Sequence, residues 1–428
     1  MDGTGLKHYS IDDSAKVTIA RCAVRHRSKN FGSLDDTLVS PFIGPISLNF
    51  NDPKVQEQGL AKRLLTQLPK TDRKIMMQLK IFVSDLLEEN LPPRQPYMTF
   101  EMWLDTTSYN EEEKQILRQC KLDNDMIGGR PNIKEAHKCR VHNKRESYPK
   151  FKHARSIIDR GKKFGAWFGP ICKTIEHIVY EFEDEETGFR QFVKGLTPDE
   201  MKTLVINLSN CYPGYLIVEI DYTAFEAHFT PEVMASLEML LYNRYMEEDD
   251  YLFLKRVIGG WNKLSTRSGL KAQCKARRMS GEYSTSLANG FSNLMMAKFV
   301  SKLLGLDAHG FVEGDDGLFF VKPNGMSTEE LKTVWANLLE QMGFNEVKLK
   351  IHERLDQATF CGRIFCNDGT VIKDPYRFQQ KFAWCDKYID CKDNKKKELL
   401  LAKAMSCLNE VPNCPIISTI AYKEYCDL

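Results

Sequence analysis

The clearest structural signal in the sequence is the eleven-residue stretch Phe311-Val312-Glu313-Gly314-Asp315-Asp316-Gly317-Leu318-Phe319-Phe320-Val321. Two apolar runs of strand length flank a Gly-Asp-Asp-Gly turn. Gly and Asp are the residues that tight turns between antiparallel strands prefer. The stretch therefore predicts a β-hairpin with two carboxylates at its tip.

The segments on both sides of the hairpin alternate between strand and helix patterns. Apolar periodicity and capping residues predict a strand at Tyr215 to Asp221, helices at Thr230 to Tyr245 and from Gly281 to Leu303, a helix at Thr328 to Met342, and a strand at Glu346 to Ile351. This order is that of a split βαβ sheet. Such a sheet would place Asp221, the last residue of its strand, beside the hairpin tip.

Carboxylates that converge in a folded protein repel one another unless protons or cations neutralise them. Mg²⁺ suits such a group because it binds one or two carboxylates and keeps room for waters and substrate phosphates. Two such ions about 4 Å apart can assist phosphoryl transfer. Asp221, Asp315 and Asp316 are therefore the predicted metal ligands, with Mn²⁺ as a substitute ion.

The charge of the chain is unevenly distributed although its formal net value is only +2. Ten Lys and Arg residues stand against two acidic residues between Lys138 and Lys163, which gives this segment a net charge of +8. Local charge density, rather than the total, determines what a surface attracts. The segment is predicted to bind phosphate groups.

A Ser-Gly pair, Ser280-Gly281, opens the helix that precedes the hairpin. Thr285 and Asn289 follow on that helix four residues apart, so they share one helical face. Side chains there are placed to recognise a ribose hydroxyl.

Three motifs in this order resemble those of the viral RNA-dependent RNA polymerases, and they are closest to the tombusvirus-like and flavivirus-like enzymes of positive-strand RNA viruses. The matching patterns are Asp221-x-x-x-x-Glu226, Ser280-Gly281-x-x-x-Thr285-x-x-x-Asn289 and Gly314-Asp315-Asp316. Further matches are Lys152-x-x-Arg155-x-Ile157-x-x-Arg160 for the basic finger, Gly343-Phe344 with Lys348 and Lys350, Phe360-Cys361-Gly362 and, more weakly, Trp103 to Lys114.

The resemblance implies an α+β right-hand fold of fingers, palm and thumb. Residues 1–210 would form an N-terminal extension and fingers, residues 211–362 the palm with a finger insertion at about 246–278, and residues 363–428 a small thumb. The implied activity is synthesis of RNA from ribonucleoside triphosphates on an RNA template, to replicate a positive-strand RNA virus genome. The implied partners are the template, the nascent strand, other viral replicase proteins and host membrane-associated factors in the host cell cytoplasm.

The resemblance also assigns roles to individual residues. Lys152, Arg155 and Arg160 would neutralise the triphosphate, and either Lys348 or Lys350 would protonate the leaving pyrophosphate. The sugar of the nucleotide would lie near Glu226 and Asn289, and the implied nucleotide-binding group consists of Glu226, Ser280, Gly281, Thr285 and Asn289.

Two residues depart from the family pattern. Glu226 stands where the relatives usually have Asp, so its contact with Asn289 must be shifted or bridged by water. Asp159 stands where a Pro often precedes the last Arg of the basic finger, and it is expected to pair with a neighbouring Lys.

Other classes of protein share some of these sequence features. A reverse transcriptase shares the metal carboxylates but usually has an aromatic residue where Gly314 stands, and the basic finger argues against a nucleotide cyclase. A non-catalytic RNA-binding protein that uses the basic segment is the alternative from another class. No apolar stretch has the roughly 20 residues of a transmembrane helix. Thirteen scattered cysteines indicate neither disulfides nor, at Cys120, His137, Cys139 and His142, a standard zinc motif.

Overall fold

The computed structural model describes residues 7–19, 32–35, 38, 48, 52–144, 146, 148, 150–385, 388 and 391–427. The strands in this part of the chain are β1 (Lys16–Ile19), β2 (Gly32–Ser33), β3 (Lys138–Asn143), β4 (Ser156–Asp159), β5 (Leu216–Tyr222), β6 (Trp261–Thr266), β7 (Leu270–Lys275), β8 (Asp307–Glu313), β9 (Asp316–Lys322), β10 (Val347–His352), β11 (Arg363–Phe365), β12 (Val371–Lys373) and β13 (Trp384–Cys385).

The helices are α1 (Pro53–Leu60), α2 (Arg73–Asn90), α3 (Phe100–Asp105), α4 (Glu111–Asp125), α5 (Ile133–Ala136), α6 (Lys162–Val179), α7 (Pro198–Cys211), α8 (Pro231–Ser236), α9 (Glu238–Tyr245), α10 (Glu248–Ile258), α11 (Thr285–Leu304), α12 (Thr328–Gln341), α13 (Pro375–Gln379), α14 (Asp393–Glu410) and α15 (Pro415–Asp427). A π-helical turn spans Ala61–Leu65, and 3-10 turns span Phe225–His228 and Leu355–Gln357. This mixture of helices and sheets confirms the predicted α+β class.

The central sheet has the strand order β10-β5-β9-β8, and all three pairings are antiparallel. Strands β8 and β9 form the predicted hairpin, with Glu313 paired to Asp316 across a two-residue turn. Gly314 has φ +61° in that turn, a conformation that glycine adopts without strain. The predicted hairpin is thus confirmed, together with the strands on its two sides.

The two faces of the central sheet have different neighbours because side chains alternate along a strand. On β5, Val218 and Ile220 belong to the large core that helices α2, α8, α9, α11 and α12 build with the sheet. Ile217 belongs to a second cluster with residues of α7 and of the C-terminal segment. Glu219 and Asp221 share the face of Ile217, so Asp221 projects away from the helical core.

A second sheet has the order β1-β7-β6-β3-β4. Strands β6 and β7 lie between α10 and α11 in the sequence, but they pair with strands from the first 160 residues. The buried side chains of this five-stranded sheet form a cluster of their own around Val141, Ile158 and Leu264. Residues 261–275 are therefore built into a layer separate from the central sheet.

One predicted helix differs in the structure. The segment Thr230 to Tyr245 forms two helices, α8 and α9, that are separated at Leu237 with φ −123° and ψ −100°. Leu237, the residue at the break, is itself fully buried. The apolar spacing of the segment is therefore uninterrupted, and the sequence pattern gives no sign of the break. Glu238, the next residue, forms an ion pair with Arg278 at 3.5 Å, and both side chains are buried.

No helix in the described ranges has the length and apolar character that a bilayer span requires. The twelve cysteines within these ranges are all free thiols. Two residues of the Cys120, His137, Cys139 and His142 group have other partners: Cys139 lies beside Arg160, and His142 pairs with Asp159 at 3.1 Å.

A cluster of acidic side chains surrounds His309 on β8. Its Nδ1 lies 3.1 Å from both carboxylate oxygens of Asp184, and its Nε2 lies 2.8 Å from Oδ1 of Asp307 and 3.3 Å from Oε2 of Glu186. The ring stacks on Tyr212 at 4.2 Å. Burial lowers the pKa of His309, but Asp184 and Asp307 outweigh it and the net pKa is raised.

This cluster makes stability depend on pH in a definite direction. Because the pKa of His309 is raised on folding, its contribution is complete below about pH 6.5 and is lost as the pH rises through the folded value. The pKa of Asp184 falls to about 2 because its bonds to His309 outweigh burial, so its contribution is lost only as the pH falls towards 2.

We expect His309→Gln to lower the free energy of unfolding by about 1 kcal/mol at pH 5.5, since solvent screens part of the interaction, and by less at pH 9. Urea unfolding of both proteins at the two pH values measures this difference. His177→Gln, on an exposed face of α6, is the matched control. An equal loss at pH 5.5 and pH 9 would contradict the prediction.

Candidate active site

Three carboxylates meet at one end of the central sheet. Ile220 pairs with Gly317, so the next residue of β5, Asp221, lies beside the hairpin tip that carries Asp315 and Asp316. Burial raises the pKa of Asp315, and Glu226 and Asp221 raise it further. Burial, Asp315 and Asp221 raise the pKa of Asp316 to about 6. The aspartates are therefore close enough to oppose one another's ionisation.

The carboxylates of Asp221, Asp315 and Asp316 are ligands of the kind that divalent cations prefer. The Asp221 side chain is 48% exposed, and Asp315 and Asp316 are half-buried. Burial and the neighbouring carboxylates thus both disfavour the ionised forms of Asp315 and Asp316, and a bound cation would offset both effects. Hard cations such as Mg²⁺ take ligand sets of this kind.

Helix α11 holds the hairpin turn in place through hydrogen bonds from Asn293. Asn293 is fully buried, and its Nδ2 donates to the carbonyl oxygens of Gly314 at 3.4 Å and Asp315 at 3.0 Å. Its Oδ1 lies 3.3 Å from the Tyr222 hydroxyl, at the end of β5. Sequence analysis missed Asn293, although its spacing of four residues from Asn289 placed it on the same helical face.

Glu226 and Asn289 are in direct contact. Nδ2 of Asn289 donates to Oε1 of Glu226 at 3.4 Å, so the longer side chain of Glu does not prevent the contact. Asn289 is 4% exposed, and its Oδ1 has no hydrogen-bond partner among the described residues. Glu226 sits on the 3-10 turn, which follows Ala224 in the left-handed region at φ +54°.

The Ser-Gly pair joins helix α11 to strand β4, which lies within the basic segment 138–163. The Ser280 hydroxyl donates to the carbonyl oxygen of Ser156 at 2.8 Å, and the Gly281 N–H donates to that of Ile158 at 3.0 Å. A Cβ at Gly281 would lie 2.6 Å from a methyl group of Ile157 and 2.9 Å from the Ile158 carbonyl oxygen, so only glycine fits. The Thr285 hydroxyl donates to the carbonyl oxygen of Glu282 at 2.8 Å.

The basic residues on the two sides of β4 differ in exposure. Lys152 and Arg155 are exposed. Burial lowers the pKa of Lys152, and Arg377, Lys348 and Arg155 lower it further. Cations from separate segments therefore converge near the carboxylates, as expected where a polyanion binds.

Arg160 was predicted to contact the triphosphate together with Lys152 and Arg155, but the structure buries it. Its side chain is 0% exposed and forms an ion pair with Glu282 at 2.8 Å. It also donates to Oδ1 of Asn262 at 2.6 Å and to the carbonyl oxygen of Ala136 at 3.1 Å. The guanidinium is thus held inside the protein and does not face the cleft. Asp159 pairs with His142 rather than with a lysine.

The two candidate lysines of β10 lie on the face of Asp221. Lys348 pairs with Asp221 across the strands, and its Nζ lies 3.5 Å from Oδ2 of that residue. Lys350 is opposite Glu219, and its Nζ lies 2.6 Å from Oε1 of that buried carboxylate. Thr359 also donates to Glu219, through its N–H at 3.0 Å and its hydroxyl at 2.7 Å. Lys350 is therefore engaged in a structural network that sequence analysis did not anticipate.

The residues of the weaker predicted motifs make packing contacts and hydrogen bonds within the fold. Phe360 is buried against Phe311 with ring centroids 4.9 Å apart, and Cys361 donates to Oε2 of Glu313 at 3.4 Å. The hydroxyls of Thr106 and Thr107 donate to carbonyl oxygens at the end of α3, as in a helix-terminating loop.

Comparison with known proteins agrees with this geometry. A family model described as viral RNA-dependent RNA polymerase matches residues 113–383, which is more than half of the chain. Three similar proteins are RNA-directed RNA polymerases. That of Atlantic halibut nervous necrosis virus is 27% identical over 211 residues, covering 46% of this chain and 20% of that protein. That of Panicum mosaic virus is 25% identical over 229 residues, 52% of this chain and 23% of that protein.

The third relative, from striped jack nervous necrosis virus, is 26% identical over 191 residues, covering 41% of this chain and 18% of that protein. The matched segments thus span about a fifth of the length of these relatives. The match to the family model includes the hairpin, the Ser-Gly helix and both strands that border them. The chain belongs to the viral RNA-dependent RNA polymerase family.

Proposed function

We propose that the chain catalyses template-directed synthesis of RNA from ribonucleoside triphosphates on an RNA template and so replicates a positive-strand RNA virus genome. The observation that carries the proposal is the convergence of Asp221, Asp315 and Asp316 at the hairpin tip, where burial and neighbouring carboxylates disfavour the ionised forms of Asp315 and Asp316. Family membership supports the same activity.

Asp221 and Asp315 would hold two Mg²⁺ ions, with Asp316 as a weaker ligand and Mn²⁺ as a substitute. Bound there, the ions would acidify the attacking 3′-hydroxyl and neutralise charge on the leaving pyrophosphate. The protein supplies the carboxylates in fixed positions, because Asn293 holds the turn and the β5–β9 pairing holds Asp221. Preorganised ligands of this kind need no rearrangement during the reaction.

Lys152 and Arg155 are the residues that we propose for the triphosphate. Both are exposed, and the charge of Lys348 acts on Lys152 while that of Arg155 acts on Asp315. The forked donors of Arg155 suit phosphate oxygens, and Lys152 acts as a point charge. Arg160 would act indirectly, by fixing the end of β4 to Glu282.

The sugar of the incoming nucleotide would lie against Glu226 and Asn289, with Ser280, Gly281 and Thr285 shaping the start of the helix. The free Oδ1 of Asn289 is a buried acceptor, and a hydroxyl group is the donor that would satisfy it. This supports selection of ribose over deoxyribose at this position.

The geometry favours Lys348 over Lys350 as the general acid, because Lys350 is held by Glu219. We expect Lys348→Gln to lower kcat by about 10²-fold with a smaller change in KM, since proton transfer contributes about 10² to 10⁴. Lys350→Gln should lower kcat less and should lower stability instead, because it removes the Lys partner of the buried Glu219 carboxylate. Single-turnover kinetics and thermal unfolding of both variants measure the two effects. Equal falls in kcat would contradict this assignment.

We also propose that the chain has the right-hand arrangement of fingers, palm and thumb, which membership of the polymerase family supports. The central sheet lies within the proposed palm, residues 211–362, and strands β6 and β7 support an insertion at about 246–278 that joins the fingers. Residues 1–210 would complete the fingers and the N-terminal extension, and residues 363–428 would form a small thumb.

The partners and location are proposals that rest on the family alone. They are the RNA template and nascent strand, other viral replicase proteins, and host membrane-associated factors that would tether the enzyme to replication complexes in the host cell cytoplasm. Sedimentation of the chain with host membranes, with and without the other viral proteins, would test the tether.

The test of the activity is nucleotide incorporation on a synthetic RNA template, with Mg²⁺ or with a chelator. Elongated product is expected only with the ion, and with ribonucleotides in preference to deoxynucleotides. A preference for deoxynucleotides would favour the reverse transcriptase alternative. RNA binding without any incorporation would favour the non-catalytic alternative.

A further inference from the structure

Arg63 lies at the proposed sugar site although it belongs to no polymerase motif. It comes from the π-helical turn Ala61–Leu65, which packs against the 3-10 turn that carries Glu226. A guanidinium nitrogen of Arg63 lies 3.7 Å from Oε2 of Glu226, and the two side chains are only 17% and 12% exposed. π-helical turns inside α-helical segments often mark functional positions.

The charges around Arg63 connect it with the rest of the active site. Burial lowers the pKa of Arg63, and Arg155 lowers it further, whereas Glu226 and Asp315 raise it. Glu226 is the carboxylate within ion-pair distance of Arg63 among the described residues. A partly enclosed pair of this kind restricts the side-chain rotamers of both partners more than an exposed pair does.

The two carboxylate oxygens of Glu226 have different partners. Oε2 faces Arg63, and Oε1 accepts from Nδ2 of Asn289. The amide orientation of Asn289 that this contact requires turns its Oδ1 away from Glu226, and that buried oxygen has no partner. An unpaired buried acceptor beside a fixed carboxylate suits a ligand that offers a hydroxyl donor.

On the basis of the proposed function, we propose that Arg63 is a positioning residue that sets sugar specificity by holding the Glu226 carboxylate against Asn289. The length of Glu226 is part of this arrangement. An Asp at this position would withdraw the carboxylate by about 1.5 Å, the length of one C–C bond, and the ion pair at 3.7 Å would be lost. Arg63 therefore accounts for the residue that departs from the family pattern.

The experiment compares Arg63→Gln, Glu226→Asp and the double variant in the full chain. The quantity measured is the ratio of kcat/KM for a ribonucleotide to kcat/KM for the matching 2′-deoxynucleotide. We expect each single variant to lower this ratio about tenfold, through a higher KM for the ribonucleotide, and the double variant to lower it no further than Glu226→Asp alone, because Glu226→Asp already removes the contact with Arg63. Arg63→Lys should restore part of the ratio.

Arg73→Gln, at an exposed position of α2, removes the same charge and should leave the ratio unchanged. If wild-type protein incorporates no nucleotide, the proposed function fails. If wild type is active and Arg63→Gln keeps the wild-type ratio, or loses activity with both sugars equally without rescue by Arg63→Lys, the role of Arg63 is overturned. Should Arg63→Gln fail to fold, Glu226→Asp tests the same contact with Arg63 intact.

Discussion

Asp315→Asn is expected to reduce nucleotide incorporation by about 10³-fold or more, which corresponds to about 4 kcal/mol of transition-state stabilisation. The amide keeps the size of the side chain but removes the charge that would bind the cation. The same change should raise the thermal stability of the protein in metal-free buffer, because the ionised Asp315 is disfavoured by burial, by Glu226 and by Asp221. RNA affinity should be retained, since the basic segment is unchanged.

Primer extension, filter binding and thermal unfolding measure the three quantities on one preparation. Asp199→Asn, at an exposed position in the first turn of α7, is the matched control and should alter none of them. Comparable extension by wild type and Asp315→Asn would remove the polymerase proposal. A loss of extension together with a loss of stability would instead assign Asp315 a structural role.

Arg160→Met is expected to lower the free energy of unfolding by about 3–5 kcal/mol, because removal of one partner leaves the buried Glu282 carboxylate uncompensated. The double variant Arg160→Met/Glu282→Leu should recover much of this loss, since an apolar pair can replace a buried ion pair at little cost. Urea unfolding of the three proteins gives the free energies.

An exposed ion pair provides the comparison. Arg118 contacts Glu101 at 2.9 Å with side chains 33% and 60% exposed, and Arg118→Met should have no measurable effect on unfolding. The stable double variant also tests the role that the family pattern gives to Arg160. If its KM for ribonucleotides matches wild type, Arg160 is structural, whereas a KM raised about tenfold would return it to the triphosphate site.

The hairpin and the strand of Asp221 could be predicted because their signals are local. A Gly-Asp-Asp-Gly turn between two apolar runs contains all the information needed for an antiparallel pair. The spacing of Lys348 and Lys350 likewise placed both on one strand face. What the sequence could not supply is which of them meets Glu219, because that contact depends on the register between β5 and β10.

The burial of Arg160 could have been predicted from its spacing relative to Arg155. Residues 155 and 160 differ by an odd number, so along an extended segment they project to opposite faces. The structure has this alternation, with Arg155 exposed and Arg160 buried. Arg63 had no such signal, since its partner Glu226 lies far away in the sequence and the turn that carries it has no characteristic composition.

Helix α11 presents Thr285, Asn289 and Asn293 at intervals of four residues, and the last of these holds the carbonyl groups of the hairpin turn. A rigid helix of this kind moves as one piece, so a nucleotide that pushes Asn289 aside would drag the turn bearing Asp315 along with it. We therefore expect a misfit of the sugar at Asn289 to disturb the carboxylates of the turn, because Asn293 lies only one helical turn further along α11.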